Sequence, residues 1–219
     1  SKQIAAIYGD VLTPVNFKKA GGVGSAEESF DAALIRGRPF IVLDNARGRI
    51  DSQKLESFAT EDRYLARQPY SPPIEIDPRS AYVMVTSNQA ELTPDMANRC
   101  VMVRIKKQPA GYRFRTYEEG DIVARIRAHQ PHYLGAVFAV VRQWWQEGRQ
   151  RLDRVTHSYQ GWASTVGFIV ESMLGLRGFL DDMETTKERI SNPNLTWFRQ
   201  VSLMLLSRDF YRAELNATR

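Results

Sequence analysis

Two runs of apolar residues break the mixed pattern of this chain. Phe40-Ile41-Val42-Leu43 leads into Asp44 and Asn45, and Ala81-Tyr82-Val83-Met84-Val85 leads through Thr86 and Ser87 to Asn88. A short apolar run without alternation predicts a central strand of a parallel sheet, covered on both faces. Between the two runs, the segment 51–60 predicts a short helix capped by Asp51 or Ser52, with Leu55 and Phe58 facing inward. That completes one strand-helix-strand unit. Tyr70 to Pro73 is turn chemistry, and its flanks Arg63–Gln68 and Ile74–Ile76 predict the arms of a hairpin. Beyond Asn88, the segment Leu92 to Ile105 reads as a short helical turn followed by a further apolar strand that includes Val101 to Val103.

From Gly111 onward the period becomes helical. Segments 121–128, 131–147, 159–174 and 195–206 predict helices, with Trp144, Trp145, Trp162 and Trp197 packed inward. Pro131 in a first turn and Gly148 beyond an end punctuate the longest of them. At the other terminus Ile4 and Ile7 fit one face of a helix, and Gly9 fits its stop. The chain therefore divides into an α/β core, residues 1–109, and an α-helical region, residues 110–219.

In parallel sheets, ligands bind at the carboxyl ends of the strands. Asp44 and Asn88 are expected there, on neighbouring strands and near enough to share one ligand. An Asp at such an end can hold the water shell of Mg²⁺, and an Asn can orient a water against a terminal phosphate. With Arg99 eleven residues after Asn88, the segment Phe40 to Ile105 resembles the AAA+ ATPases. More specifically, it is similar to the helicase-like ATPases encoded beside primase modules in phages and mobile elements. A looser resemblance extends from about Ile4 to about Leu180.

The resemblance implies a P-loop NTPase (AAA+)-like parallel sheet followed by a helical lid, with ATP and Mg²⁺ as cofactors. It implies that Asp44 is the Walker B acid and metal ligand, Asn88 is sensor 1, and Arg99 is a finger reaching a neighbouring subunit's nucleotide. A homo-oligomeric ring follows from such a finger. Two departures qualify it. Asn45 stands where many of these proteins carry Glu, and an amide cannot act as a general base. No Gly-x-x-x-x-Gly-Lys-Ser/Thr occurs, and the nearest match, Gly21-Gly22-Val23-Gly24-Ser25, lacks the lysine and reads as a loop. The expectation is an ATPase core truncated before its P-loop, beginning at the helix that follows that loop. Its function would be to couple ATP hydrolysis at subunit interfaces to DNA translocation, in a replication helicase of a mobile genetic element. The alternative is a non-catalytic AAA+-like scaffold that binds DNA or a replication partner.

Charge bears on the partner. The 219 residues carry a net +5, which favours polyanions. From Arg99 to Arg115, both included, there are six basic residues, Lys106 and Lys107 among them, and no acidic ones, interleaved with Tyr112 and Phe114. Such a stretch can track a phosphate backbone and stack bases, or can be a solvated connector. Related helicases project a hairpin from the region before sensor 1 to grip DNA, so Arg63, Arg67 and Arg79 join Lys106 and Lys107 as candidate DNA contacts. Local ion pairs with Glu61, Asp62, Glu75 or Asp77 are the competing role. The single cysteine, Cys100, reads as a buried small residue, and His129, His132 and His157 read as surface residues without a metal site. No apolar run reaches the roughly eighteen residues of a membrane helix, and the expected setting is the cytoplasm.

Overall fold

The computed structural model describes residues 1–15, 25–103, 105, 108–113, 120–153, 155, 157–176, 178–181, 183, 187 and 193–207. The N-terminal helix α1 (Lys2–Ile7) ends as its sequence predicts. Gly9 takes a φ of 74°, and the N–H groups of Gly9 and Asp10 close back on Ala6 O and Ala5 O. This is the glycine-terminated cap that satisfies the last carbonyls of a helix. Strand β1 (Thr13–Val15) follows.

Helix α2 (Ala26–Ile35) was not predicted, although its signal was present. Ser25 accepts a hydrogen bond from the Glu28 N–H at 3.2 Å, and Ser-x-x-Glu is a helix-start signature. Gly37 ends α2 with the same closure as Gly9 and delivers the chain into β2 (Phe40–Leu43). Next come β3 (Arg47–Ile50), α3 (Gln53–Thr60), β4 (Tyr64–Ala66), β5 (Ile74–Ile76), a single 3-10 turn at Pro78–Ser80, β6 (Tyr82–Val85), β7 (Gln89–Leu92) and α4 (Pro94–Arg99).

The sheets are small and mostly parallel. β1, β2 and β6 form one parallel sheet in that order, β3 pairs with β7 in parallel, and β4 pairs with β5 as the predicted antiparallel hairpin. Helix α3 starts from Ser52, whose side chain accepts from the Leu55 N–H, and it buries Leu55 and Phe58 as expected. The predicted strand after Arg99 does not form among the described residues. Val103 and Ile105 are exposed and lie outside any strand.

One core joins these elements. Phe30 of α2, Phe58 of α3 and Tyr64 of β4 meet edge to face, with ring centroids 5.2 to 6.2 Å apart. Ile41, Leu43, Ala46, Ile50 and Met96 close around them. Beside the rings sits Asp31, fully buried. Its Oδ1 accepts the Tyr64 hydroxyl at 2.6 Å, and its Oδ2 accepts Lys54 Nζ at 2.5 Å and the Arg67 N–H at 3.1 Å. A buried carboxylate is tolerated only when its oxygens are satisfied in this way. The arrangement ties α2, α3 and the first arm of the hairpin together.

The remaining described elements are helices: α5 (Ile122–Ala128), α6 (Gln130–Gln146), α7 (Gln160–Phe168), which continues as one wider turn over Ile169–Met173, and α8 (Pro193–Ser207). They agree with the four predicted helices to within a few residues. The inward tryptophans do not: Trp145 is 61% exposed and Trp197 59%, and Trp162 is also partly exposed. The region meets the α/β part at defined points, where Gln130 Nε2 donates to Ile7 O at 2.8 Å and the Tyr159 hydroxyl to Ala59 O at 2.6 Å. His157 is buried, contrary to its reading as a surface residue, and its Nδ1 accepts the Tyr159 N–H at 2.9 Å.

Burial is the largest influence pushing the Tyr64 phenol pKa up from 10.0, followed by its hydrogen bond to Asp31 and the charge on that carboxylate. A raised pKa in the folded state means that the unfolded chain releases this proton first. The stability due to the Tyr64 phenol is therefore complete below about pH 10 and drains as pH rises beyond it. In denaturant unfolding, Tyr64→Phe should lose about 2 kcal/mol at neutral pH and should flatten the alkaline decline. An unchanged alkaline decline would show that another group carries it. Lys54→Met, which leaves Asp31 buried without its cation, should cost about 3 kcal/mol or more in the same measurement.

Candidate functional site

β2 and β6 stop together, at Leu43 and Val85, and their chains resume pairing as β3 and β7. Leu43 faces Val85 before the break and Arg47 faces Gln89 after it. Each chain thus spends three residues in the break, 44–46 and 86–88, and the register is kept. The run expected to end at Asn88 ends instead at Val85. β3, with the sequence Arg-Gly-Arg-Ile, carries no apolar run by which it could have been predicted.

Thr86 holds the break together. Its N–H donates to Leu43 O at 3.0 Å and its carbonyl accepts the Ala46 N–H at 2.9 Å, so the backbone ladder runs through. Its hydroxyl accepts the Asn45 N–H at 3.0 Å and donates to Asp44 Oδ1. Ser87 adds a donation from its hydroxyl to Ala46 O at 2.6 Å. Thr86 is the residue that sequence reasoning passed over. The signal available was a hydroxyl two positions before Asn88, at the end of an apolar run.

Continuing the register puts Asp44 opposite Thr86, with Asn88 two positions farther along the neighbouring chain. Both are exposed and lie at the same end of the β1–β2–β6 sheet, as the sequence predicts. Asn45 has a φ of 53°, a left-handed conformation that Asn adopts more readily than other residues with a side chain. The backbone thus supplies a reason for Asn at this position.

Arg99 is the last residue of α4 and is half-buried. The helix is fixed by Thr93, whose hydroxyl accepts the Met96 N–H at 3.1 Å and donates to Glu56 Oε1 of α3 at 2.7 Å. Met96 and Ala97 face inward. Among the described residues Arg99 makes no ion pair, Asp95 included. Cys100, next along, is half-buried, and burial pushes its thiol up, away from the reactive thiolate.

The candidate DNA contacts divide. Arg63 pairs with Glu75 across the hairpin at 3.3 Å, and Arg79 Nε pairs with Asp77 at 3.0 Å. The side-chain hydrogen bond from Arg79, then the bond from its N–H, holds the Asp77 carboxyl below its usual range. Arg67 makes no ion pair among the described residues. Arg67 borders a hollow of about 200 Å³ together with Glu28, Arg36 and Gln68. Tyr70, at the hairpin tip, is fully exposed with a φ of 60°. Lys106 and Lys107 lie outside the described residues.

Among the described residues there is no group of three or more His, Cys, Asp and Glu that could hold a metal ion. Mg²⁺ does not require one, because one or two carboxylates suffice when phosphates and waters complete its shell. Asp44 offers one exposed carboxylate, and the described residues form no all-protein cage around it. No described helix is long and apolar enough to cross a membrane. No protein family matches the chain, and comparisons with curated proteins and with solved structures find no match.

The left-handed backbone at position 45 gives a direct test. Asn45→Gly should leave unfolding free energy within about 0.5 kcal/mol, while Asn45→Val should cost about 1–2 kcal/mol, the penalty for a β-branched residue in this conformation. Equal stabilities in urea titrations of the two variants would show that Asn45 is not held left-handed.

Proposed function

We propose that the chain is part of an AAA+-like ATPase that couples ATP hydrolysis at subunit interfaces to movement on DNA, as in a replication helicase of a mobile element. The observation that carries the reading is the placement of Asp44 and Asn88. Both follow hydrogen-bonded, parallel strands at one end of a sheet, where ligands of such sheets bind. In this reading Asp44 holds the water shell of Mg²⁺, Asn88 orients the attacking water, and Arg99 stabilises charge on a neighbour's γ-phosphate. Bound Mg²⁺ would supply neutralisation of phosphate charge. No motif of these 219 residues supplies the phosphate cradle, backbone N–H groups and a lysine, and a strand carrying one has an edge to join, since β6 has no partner on its far side among the described residues.

The rival reading is a scaffold of related shape that binds DNA or a partner without turnover. Asn45 favours it, because the amide is no base and its backbone already has a structural role. So does the continuation of both strands as β3 and β7 past the break.

Turnover separates the two. The 219-residue chain should not hydrolyse ATP, whereas the protein extended upstream by a strand and a P-loop should, with Asp44→Ala abolishing the activity. In that protein Arg99→Ala should lower kcat by about 10³-fold and leave nucleotide affinity within a few-fold. Mixing it with Asp44→Ala subunits should restore part of the activity if the finger acts in trans. A P-loop-bearing protein that binds ATP but never turns it over would establish the scaffold.

DNA binding has its own measurement, the salt dependence of affinity. Arg67→Ala should reduce the slope of log affinity against log salt by about one. Arg63→Ala and Arg79→Ala should change it less, because each arginine already faces a carboxylate in the free protein. Identical slopes for wild type and all three variants would remove the hairpin from the DNA surface.

A further inference from the structure

We infer that Thr86 is a positioning residue for Asp44, and that its hydroxyl decides which carboxylate oxygen is offered to a metal-polyphosphate ligand. The inference rests on the proposed nucleotide reading and goes one step further, to a residue that no motif assigns.

A threonine hydroxyl has one proton and two lone-pair sites. In Thr86 the proton goes to Asp44 Oδ1 and one lone pair takes the Asn45 N–H. The hydroxyl cannot drift, because the Thr86 backbone is fixed on both sides by Leu43 O and the Ala46 N–H. Its methyl restricts χ1 as in any β-branched residue. Asp44 itself is exposed, where a free aspartate would sample several rotamers. The bond from Thr86 engages Oδ1 and leaves Oδ2 without a hydrogen bond among the described residues. Single-oxygen presentation suits Mg²⁺, whose octahedral shell takes carboxylates one oxygen at a time together with waters and phosphate. Outer partners that orient a ligand in this way typically account for 10- to 100-fold in metal affinity.

Thr86 also couples the ligand side to the backbone. The hydroxyl that holds Asp44 is the acceptor that holds Asn45 in its left-handed turn. Losing the hydroxyl should free the carboxylate and the Asn45 amide together, whereas a purely structural threonine would affect the amide alone.

The test compares wild type, Thr86→Val, Thr86→Ser and Asp44→Asn in the 219-residue chain, with Mn²⁺·ATP as the probe. Paramagnetic broadening of the Asn45 and Ser87 amide resonances detects binding at millimolar levels, so it reads the Asp44 contact without a phosphate loop. Hydrogen exchange at Asn45 is recorded in parallel. Expected are a weakening of the Mn²⁺·ATP effect by about ten-fold and faster Asn45 exchange in Thr86→Val, both restored in Thr86→Ser. Asp44→Asn should remove the broadening and leave Asn45 exchange slow. Broadening that depends on Asp44 but is unchanged in Thr86→Val would overturn the positioning role and leave the nucleotide reading standing. If no broadening depends on Asp44 in the wild type, either in this chain or in a protein that also carries a P-loop, the nucleotide reading falls and the inference falls with it.

Discussion

The buried carboxylate of Asp31 is the constraint on which the α/β part depends. Three chain segments distant in sequence, α2, α3 and the start of the hairpin, each supply a group that this carboxylate contacts or belongs to. An ion removed from water imposes geometry more strictly than apolar contact does, because a misplaced donor leaves charge uncompensated. Phe30, Phe58 and Tyr64 could pack in more than one way as bare rings. The hydrogen bond from the Tyr64 hydroxyl to Asp31 selects one. With Tyr64 fixed, β4 is fixed, and the hairpin that projects Tyr70 has a rigid base at Arg67.

A second constraint works at the sheet. The long parallel pair formed by residues 40–50 and 82–92 keeps its register through the break, where Thr86 bonds to both sides of it and Ser87 adds a bond to Ala46 O. Apolar burial fixes β2, with Ile41, Val42 and Leu43 inside, whereas β3 exposes three of its four residues. β3 is thus held by backbone pairing and by the buried Ile50, and not by a hydrophobic face. The Asp44 turn lies between a strand held by its side chains and one held mainly by its backbone. That gives the polar residues of the break a defined place at the surface without requiring an enclosed pocket.

These differences explain what could be read from the sequence. β2, β6 and α3 were legible because their apolar residues follow the period of the element, and α5 and α6 because Asp121, Pro131 and Gly148 mark their ends. The shared end of the sheet for Asp44 and Asn88 was legible too, since it follows from two parallel strands of similar pattern. β3 and β7 were not, because pairing between polar stretches leaves no trace in hydropathy. Asp31 was also missed: a lone acid inside a helix looks solvated until its three donors, 23 to 36 residues away, are known. Thr86 was hidden for the same reason, its partners lying 41 and 42 residues back.

The helical region shows where periodicity stops being informative. The spacing of apolar residues in α6 and α8 marks the helices correctly but does not say what covers them. On α6, Phe138, Val141 and Trp145 form an exposed stripe at intervals of three and four, while Leu134, Val137 and Trp144 are partly covered. One helix thus presents two apolar faces, and the fold described here covers only one. The indole N–H of Trp144 donates to Gln150 O at 2.8 Å, and the Arg149 guanidinium lies 4.6 Å from the centroid of the Trp145 ring. Each tryptophan therefore has a local polar partner at the helix end, which lowers the cost of leaving an indole at the surface. The amphipathic pattern that reads as core in a closed bundle is satisfied here in part by the chain's own polar groups, so apolar spacing alone cannot distinguish a buried face from an exposed one.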